Sequence, residues 1–327
     1  MNTLEIKNLT VHFHTDQGMV EAIDQTNLFV RPGEIMGLVG ESGCGKTTMG
    51  RTILRVLPES TGKVVEGSIY FNGENLLELS EKEINQRVRG RAITLIPQDP
   101  YSSFNPVFTI GTQFSDIIKQ KVMDDEGARR GEKALGIKEQ IGEMLRKVQI
   151  PSPEQQMYKY PHEFSGGQRQ RIMIAMALVS RPALIIADEP TTALDVTIEA
   201  QVLLLLRNLT KELQTSVLFI THDLGVADEI CDRITVMYAG QIMESAPTDS
   251  FFRKPCHPYT RGLLNSLPNP KGRIQTIEGD IPVLINPPKG CRFHPRCPRA
   301  TSECDKRRPD IVDVDTDHIV RCFNPLD

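Results

Sequence analysis

The sequence predicts an α/β fold with a smaller, proline-rich region at its C-terminal end. An apolar run at 35–39 is followed by a glycine-rich loop and then by apolar residues at helical spacing, the order strand, loop, helix. Two further apolar runs, at 183–187 and 217–221, end in polar residues and are typical of buried strands. Residues 246–327 hold 12 of the 22 prolines and 5 of the 7 cysteines.

Composition narrows the class of protein. The chain has 327 residues, of which 39% are hydrophobic and 24% charged, as in ordinary globular proteins. A net charge of −4 gives no reason to expect nucleic acid as the main partner. No apolar run approaches the roughly 20 residues of a membrane span, and residues 1–9 lack the pattern of a signal peptide. We therefore expect a cytosolic protein that reaches a membrane only through other subunits.

The glycine-rich loop carries the clearest chemistry. Residues 40–47 read G-E-S-G-C-G-K-T and fit the pattern G-x-x-x-x-G-K-S/T. Glycines let successive N–H groups point at phosphate oxygens, and the following helix adds its positive end. Lys46 brings a charge to the β- and γ-phosphates, and the Thr47 hydroxyl suits Mg²⁺. The residues of this predicted nucleotide site are Gly40, Glu41, Ser42, Gly43, Cys44, Gly45, Lys46, Thr47 and Thr48.

The segments on either side of this loop supply two more candidates. Residues 3–13 and 20–30 alternate as two antiparallel strands, and Phe13 can stack on a purine or serve as a core residue. The three prolines of 96–106 predict no regular structure there. Gln98 directly follows a strand, where it can carry Mg²⁺ or the attacking water.

A helical subdomain is expected over about 100–180, inserted into the sheet domain. It ends in F-S-G-G-Q-R-Q-R, in which Ser165 is a good N-cap and Gly166 and Gly167 permit close approach of a ligand. Basic residues at a helix start oppose its dipole, which indicates that an anion binds beside Gln168. A capped surface helix is the alternative interpretation.

Polar residues at two later strand ends complete the candidate site. Asp188 suits a Mg²⁺ contact through water, and Glu189 suits a general base that orients the attacking water. His222 follows the next strand and can hydrogen-bond the γ-phosphate. Asp195 ends the segment T-A-L-D and precedes a helix.

These motifs, in this order, resemble those of ATP-binding cassette (ABC) ATPases over residues 1–245. The resemblance implies a P-loop fold with a RecA-like mixed sheet, an antiparallel β subdomain and the inserted helical subdomain. It also implies ATP and Mg²⁺, with Thr47, Gln98 and Asp188 on the metal, Phe13 on adenine, and Glu189, His222 and Lys46 as catalytic residues. Two such domains pair head to tail, so that ATP lies between one phosphate loop and the other domain's Ser165–Gln168 and Asp195. T-A-L-D departs mildly from the commoner S-A-L-D.

Two segments, 98–106 and 254–268, resemble the ATPase subunits of oligopeptide/dipeptide importers, and the long C-terminal extension resembles their D-type subunit. This implies a second ABC ATPase subunit, in a heterodimer or alternatively a homodimer. It also implies two transmembrane permease subunits, an extracytoplasmic peptide-binding protein and a peripheral position on the cytoplasmic face of the membrane. A nickel or other solute importer stays open. A soluble ABC protein acting on ribosomes or DNA is disfavoured, because the chain has neither a second cassette nor a long coiled coil.

The extension, 246–327, is predicted to be a small region fastened by a metal group. Four thiolates on a proline-rich scaffold can hold a [4Fe–4S] cluster or Zn²⁺. Zinc favours spacings of two to four residues, which this pattern lacks, and the importer resemblance implies a [4Fe–4S] cluster. Disulfides or unligated thiols remain open; Cys256 is expected not to bind metal, and His294 is a minor competitor. The four predicted ligands are Cys291, Cys297, Cys304 and Cys322.

Overall fold

The structure, a computed structural model, describes residues 1–122, 130–192, 194–267 and 276–327. It contains two compact units. The first unit joins Met1–Glu78 to Leu218–Asp327, and the second unit is Leu79–Val217. The sequence predicts that the ABC domain ends at 245 and the C-terminal extension begins at 246. The two compact units do not test this boundary, which stays a prediction.

The strands of the described residues are β1 (Leu4–Thr15), β2 (Gly18–Val30), β3 (Ile35–Val39), β4 (Gly62–Phe71), β5 (Glu74–Asn75), β6 (Ile93–Ile96), β7 (Leu184–Asp188), β8 (Ser216–Thr221), β9 (Arg233–Tyr238), β10 (Gln241–Pro247), β11 (Ile311–Asp315) and β12 (His318–Arg321). The α-helices are α1 (Lys46–Ile53), α2 (Glu81–Glu83), α3 (Pro100–Ser103), α4 (Ile110–Val122), α5 (Arg130–Lys147), α6 (Pro153–Gln156), α7 (Gly166–Val179), α8 (Val196–Leu213), α9 (Leu224–Ile230), α10 (Thr248–Arg253) and α11 (Pro258–Asn265). A π-helical turn covers Ile84–Val88, and 3₁₀ turns cover Pro161–Glu163 and His294–Arg296.

The first unit contains two sets of paired strands. In one, the order is β2-β1-β4-β5 and every pairing is antiparallel, which confirms the two antiparallel strands expected near the N-terminus. In the other, the neighbours run β11-β12-β10-β9-β3, with β3 parallel to β9 and the remaining pairs antiparallel. All five residues of β3 are buried, as its unbroken apolar run requires.

The hairpin of β11 and β12 was not predicted from the sequence. β12 pairs with β10, with Glu244 opposite Val320, so the C-terminal extension adds strands to the first unit. The sequence I-V-D-V-D of β11 is short and has no buried residue, so neither of its faces packs in a core and it gives little period-two signal.

The second unit pairs β6 with β7 in parallel, with Ile96 opposite Ala187. Helices α3 to α7 lie between these strands in the chain, and α7 is buried from Ile172 to Val179. The expectation of no regular structure over 96–106 was wrong in part, since Pro100–Ser103 form one helical turn. Pro100 stands at the first helical position, where no N–H donor is needed, and the Asp99 carboxylate accepts from the N–H groups of Tyr101 and Ser102.

Among the residues that the structure describes, no helix is both long and apolar enough to cross a membrane.

Candidate functional site

The phosphate loop lies where β3 ends and α1 begins, both in the first unit. Gly40, Gly43 and Gly45 have φ angles of 156°, 80° and 111°. These angles are unfavourable for side-chain-bearing residues, so the glycine spacing is a backbone requirement. Ser42 and Gly43 form the exposed tip of the loop, whereas Cys44 is buried. Burial raises the pKa of the Cys44 thiol, which favours its neutral form.

The side chain of Lys46 folds back over this loop. Its ammonium donates to the carbonyl oxygens of Gly40 at 2.7 Å and Glu41 at 3.0 Å, and the residue is 5% exposed. The positive charge therefore lies among the loop's own dipoles, at the entrance of α1, where an incoming anion is attracted.

The base of the loop contacts the turn between β9 and β10. The N–H of Gly240 donates to the carbonyl of Cys44 at 2.8 Å. A Cβ at Gly40 would lie 2.1 Å from the carbonyl oxygen of Met237, closer than any real carbon atom approaches. Gly43 has nothing within 4 Å of its Cβ position. The loop is thus tightly packed at its base and open at its tip.

His222 and Phe13 also belong to the first unit. His222 is exposed at the end of β8 and lines a cavity of about 270 Å³ together with Gly40 and Glu41 of the loop. Leu263, Ser266 and Leu267 from the C-terminal extension line the same cavity. Phe13, on β1, is half-buried beside Gly62 rather than enclosed in the core. Its role in stacking on adenine stays a prediction.

In the second unit the parallel pairing of β6 and β7 brings Gln98 and Glu189 together. Each residue lies just beyond the carboxyl end of its strand, and the Gln98 amide donates to the Glu189 carboxylate at 2.9 Å. The hydroxyl of Thr192 donates to the same carboxylate oxygen at 3.2 Å. Glu189 has a φ of 47°, a left-handed conformation that is uncommon for a residue other than glycine. Strained backbone of this kind is found at functional sites.

The start of α7 is held by contacts within four residues. The Ser165 hydroxyl accepts from the Gln168 N–H at 3.3 Å, and the Gln168 side chain accepts from the Ser165 N–H at 3.0 Å, which is a capping box. A Cβ at Gly167 would lie 2.6 Å from Ile198, so this glycine also permits the packing of α7 against α8. Gly166 and Gly167 are partly exposed, and the first turn of α7 has no acidic residue.

The remaining predicted residues of the second unit occupy element ends. Asp188 is the last residue of β7 and is partly exposed. Asp195 caps α8 by accepting from the Ile198 N–H at 3.0 Å. In the segment T-A-L-D, Ala193 lies outside the described residues.

The four cysteines predicted to bind a metal group are free and lie in the first unit. Burial raises the pKa of Cys291 to about 11; a hydrogen bond with the Phe293 backbone opposes this rise, and the nearby Cys322, Cys304 and Cys297 add to it. Two of the sulfurs accept N–H hydrogen bonds, Cys304 from Thr301 at 3.5 Å and Cys322 from Asn324 at 3.3 Å. The four thiols are therefore neighbours in space.

The spacing of these sulfurs bears on which group they fit. In the described parts of the chain, no three of the four lie within 4.8 Å of one another. A tetrahedral zinc ion with bonds of about 2.3 Å requires sulfurs about 3.8 Å apart. Whether these four thiols hold a [4Fe–4S] cluster, a zinc ion or no metal group stays a prediction.

Glu244, Cys256 and His318 do form a compact buried group, with ligand atoms within 4.8 Å of one another. Both carboxylate oxygens of Glu244 are engaged by the protein. They accept from the N–H groups of Cys256 at 2.7 Å and His257 at 2.8 Å, and His318 Nε2 lies 2.7 Å from one of them. The group ties β10 to β12 and to the segment before α11, which is a structural role.

Comparison with known proteins identifies the family. Residues 23–192 match the family described as "ABC transporter", and residues 243–304 match "Oligopeptide/dipeptide transporter, C-terminal region". The chain belongs to the ABC transporter ATPases. This ABC ATPase is 43% identical over 324 residues to the oligopeptide transport ATP-binding protein AppD of Bacillus subtilis, covering 98% of this chain and 96% of AppD. It is 44% identical over 325 residues to the oligopeptide transport ATP-binding protein OppD of the same organism, covering 98% of this chain and 88% of OppD.

Solved structures agree with the fold. The dimeric structure of the bacterial ABC transporter cassette MJ0796 superposes with a TM-score of 0.63 at 27% identity, covering 75% of this chain and 98% of that one. The predicted P-loop ABC fold and the resemblance to the importer ATPases are thereby confirmed. The pairing of Glu41 with the C-terminal extension, described below, was missed at the sequence level, because nothing local to Glu41 indicates its partners.

Proposed function

We propose that this ABC ATPase hydrolyses ATP to power the import of di- or oligopeptides through a membrane transporter. The observation that carries the hydrolytic part is the contact of Gln98 with Glu189 beyond the ends of two parallel strands. The substrate class follows from relatives named oligopeptide and dipeptide transport ATP-binding proteins, together with the matching C-terminal region.

The residues have distinct tasks in this proposal. The phosphate loop binds the triphosphate, Lys46 neutralises its β- and γ-phosphates, and Thr47, Gln98 and Asp188 hold Mg²⁺ directly or through water. Glu189 orients the attacking water and accepts its proton as the γ-phosphate is transferred. Gln98 and Thr192 keep the Glu189 carboxylate in one orientation before ATP arrives. His222 hydrogen-bonds the γ-phosphate.

Pairing with a second ATPase subunit completes each site. The chain carries both an intact phosphate loop and an intact Ser165–Gln168 helix start, and a γ-phosphate can bridge one to the other across a head-to-tail dimer. Because ATP then binds the closed pair better than the open one, ATP favours closure and hydrolysis permits opening. A dimeric solved relative supports this arrangement.

The transported peptide is handled by other subunits in this proposal. Two transmembrane permease subunits form the path, an extracytoplasmic binding protein delivers the peptide, and the ATPase docks on the cytoplasmic side of the membrane. The second ATPase subunit is a related chain, with a homodimer as the alternative. Affinity capture from membranes, with permease and binding-protein subunits identified by mass spectrometry, tests these partners; capture of ribosomes or nucleic acid instead would contradict them.

The catalytic assignment is tested by Glu189→Gln. We expect ATP turnover to fall at least about a hundredfold, the usual contribution of a general base, while ATP binding and ATP-dependent pairing persist. Steady-state hydrolysis and size-exclusion chromatography with ATP measure the two effects. Glu139→Gln, at an exposed position on α5, is the matched control and should hydrolyse ATP normally. Undiminished turnover in Glu189→Gln would remove the base role.

We also propose that Cys291, Cys297, Cys304 and Cys322 hold a [4Fe–4S] cluster that fastens the C-terminal extension. The cluster would supply a fourfold covalent cross-link in a region with many prolines, and we assign it no step in hydrolysis. Anaerobically purified protein should contain about four iron atoms and four acid-labile sulfides per chain. Cys297→Ser should lose both and make the extension sensitive to protease. Cys256→Ser should lose neither, and bound zinc without sulfide in the wild-type chain would contradict the proposal.

A further inference from the structure

Glu41, inside the phosphate loop, is held by two residues of the C-terminal extension. Arg296 donates to both of its carboxylate oxygens, at 2.8 Å and 3.2 Å, in a bidentate ion pair. The Tyr259 hydroxyl donates to one of these oxygens at 3.1 Å and accepts from the Glu41 backbone N–H at 3.2 Å. Both the side chain and the backbone of this loop residue therefore depend on residues more than 200 positions later in the chain.

These partners are themselves rigid. Tyr259 is fully buried and packs against the ring of Tyr238 on β9, with the ring centroids 4.7 Å apart. Phe293 contacts both tyrosine rings, each at 5.2 Å between centroids. The side chain of Arg296 is only 5% exposed. Rings packed in this way have few alternative rotamers, so the donors that face Glu41 are fixed before a ligand binds.

The segment that carries Arg296 is anchored on its other side as well. Arg292 donates to the carbonyl of Ala239 at 2.6 Å and forms ion pairs with Glu21 and Asp24 of β2. Ala239 directly precedes Gly240, whose N–H supports the base of the phosphate loop. The short segment 291–297 thus contacts the loop directly through Arg296, and through Arg292 it contacts the β9–β10 turn that supports the base of the loop.

Charge explains why Glu41 needs such a partner. A carboxylate in a loop that receives a triphosphate repels it unless a cation neutralises the carboxylate. The guanidinium of Arg296, which is charged at any physiological pH, donates hydrogen bonds to Glu41 and to the Tyr238 hydroxyl. The carbonyl of Glu41 also accepts from Lys46, and a shift of Glu41 would therefore move the lysine that meets the phosphates.

We propose that Arg296 and Tyr259 are positioning residues for ATP: they neutralise and orient Glu41, and through it they couple the C-terminal extension to the phosphate loop. The inference rests on the proposed nucleotide site and adds a determinant that lies outside the cassette motifs. Coupling is reciprocal, so ATP binding should in turn protect the segment 291–297.

A double-mutant cycle on Glu41 and Arg296 tests the coupling, with ATP affinity measured by calorimetry in a Glu189→Gln background. Arg296→Met keeps the approximate length of the side chain but removes the cation that pairs with the Glu41 carboxylate. We expect about tenfold weaker ATP binding, typical of one partner lost from a close charge pair. Glu41→Gln alone should change the affinity less, because a neutral amide does not repel phosphate. Glu41→Gln added to Arg296→Met should recover most of the loss.

Two further variants separate positioning from folding. Tyr259→Phe keeps the ring packing but removes both hydrogen bonds to Glu41, and it should weaken ATP binding about threefold without lowering the unfolding temperature by more than a few degrees. Arg308→Met removes an arginine of the extension that pairs with Asp24 and Gln25 instead, and should bind ATP like the parent.

The outcomes are distinguishable from failure of the proposed function. If the parent chain binds ATP and Lys46→Ala does not, but Arg296→Met binds normally, the positioning role is wrong and the nucleotide site stands. Equal losses in Arg296→Met and in the double variant would also overturn the inference, since the effect would not pass through Glu41. A parent chain that binds no ATP would refute the proposed function itself.

Discussion

The phosphate loop and the start of α7 are both candidate ATP contacts, but they are built in different ways. The loop is buried at its base, and it depends on β9, the β9–β10 turn and the C-terminal extension. The start of α7 is partly exposed and is held by a capping box within four residues. The phosphate loop thus depends on distant parts of the chain, whereas the start of α7 is capped by its own sequence and packs on α8 through Gly167. Substitutions should therefore affect the two halves through different mechanisms.

The largest expected effect is at the base of the phosphate loop. Gly40→Ala places a Cβ 2.1 Å from the carbonyl oxygen of Met237, so the backbone must move. We expect the unfolding free energy to fall by at least about 3 kcal/mol. We also expect the variant to lose ATP binding. Gly43→Ala is the matched control. It also has a positive φ but meets no atom within 4 Å, and should cost only about 1 kcal/mol. Equal costs in urea denaturation would show that packing at the base is unimportant.

Acid should weaken the support of the loop through His257. This histidine is buried, and its Nδ1 accepts from the N–H of Tyr259, so the neutral ring caps α11. Burial lowers the pKa of His257 to about 4, below the value of about 6.5 in the unfolded chain. The stabilisation is therefore present above pH 6.5 and is lost as the pH falls from about 6.5 to 4, with a total of about 3 kcal/mol.

His257→Asn tests this, because asparagine can also cap a helix but does not titrate in this range. The unfolding free energy of the variant, measured at several pH values, should fall less steeply between pH 6.5 and 4 than that of the parent chain. The same steepness in His257→Asn and the parent would contradict the assignment.

The smallest expected effect is at α7. Ser165→Ala removes one cap and should lower the unfolding free energy by about 1 kcal/mol. The separate chain should bind ATP with unchanged affinity, since Ser165 faces the partner subunit's nucleotide in the proposed dimer, while ATP-dependent pairing weakens. Analytical ultracentrifugation with and without ATP measures pairing. A loss of ATP affinity in the separate chain would remove the distinction between the two halves.

The difference between the halves also explains what could be predicted. The phosphate loop, the capping box at Ser165 and the polar residues after β6 and β7 follow from local patterns, namely glycine spacing, i to i+3 contacts and strand ends. Even so, the helical turn within 96–106 was not predicted. The prolines there indicated irregular structure, but Pro100 occupies the first helical position and Asp99 caps the turn. The Gln98–Glu189 contact required the register of two strands whose residues are 91 positions apart.

By itself, the sequence determined the family and the nucleotide motifs, because each is a pattern of residue types at short spacing, whereas the metal group on the four cysteines stays a prediction. Only the tertiary structure decided that Glu41 pairs with Arg296, 255 positions away, and that the extension adds β11 and β12 to the first unit. Such contacts depend on which surfaces are buried together, and a buried charge accepts any suitably placed partner regardless of its distance along the chain. The link between the extension and the phosphate loop is therefore determined by tertiary packing and not by a sequence motif.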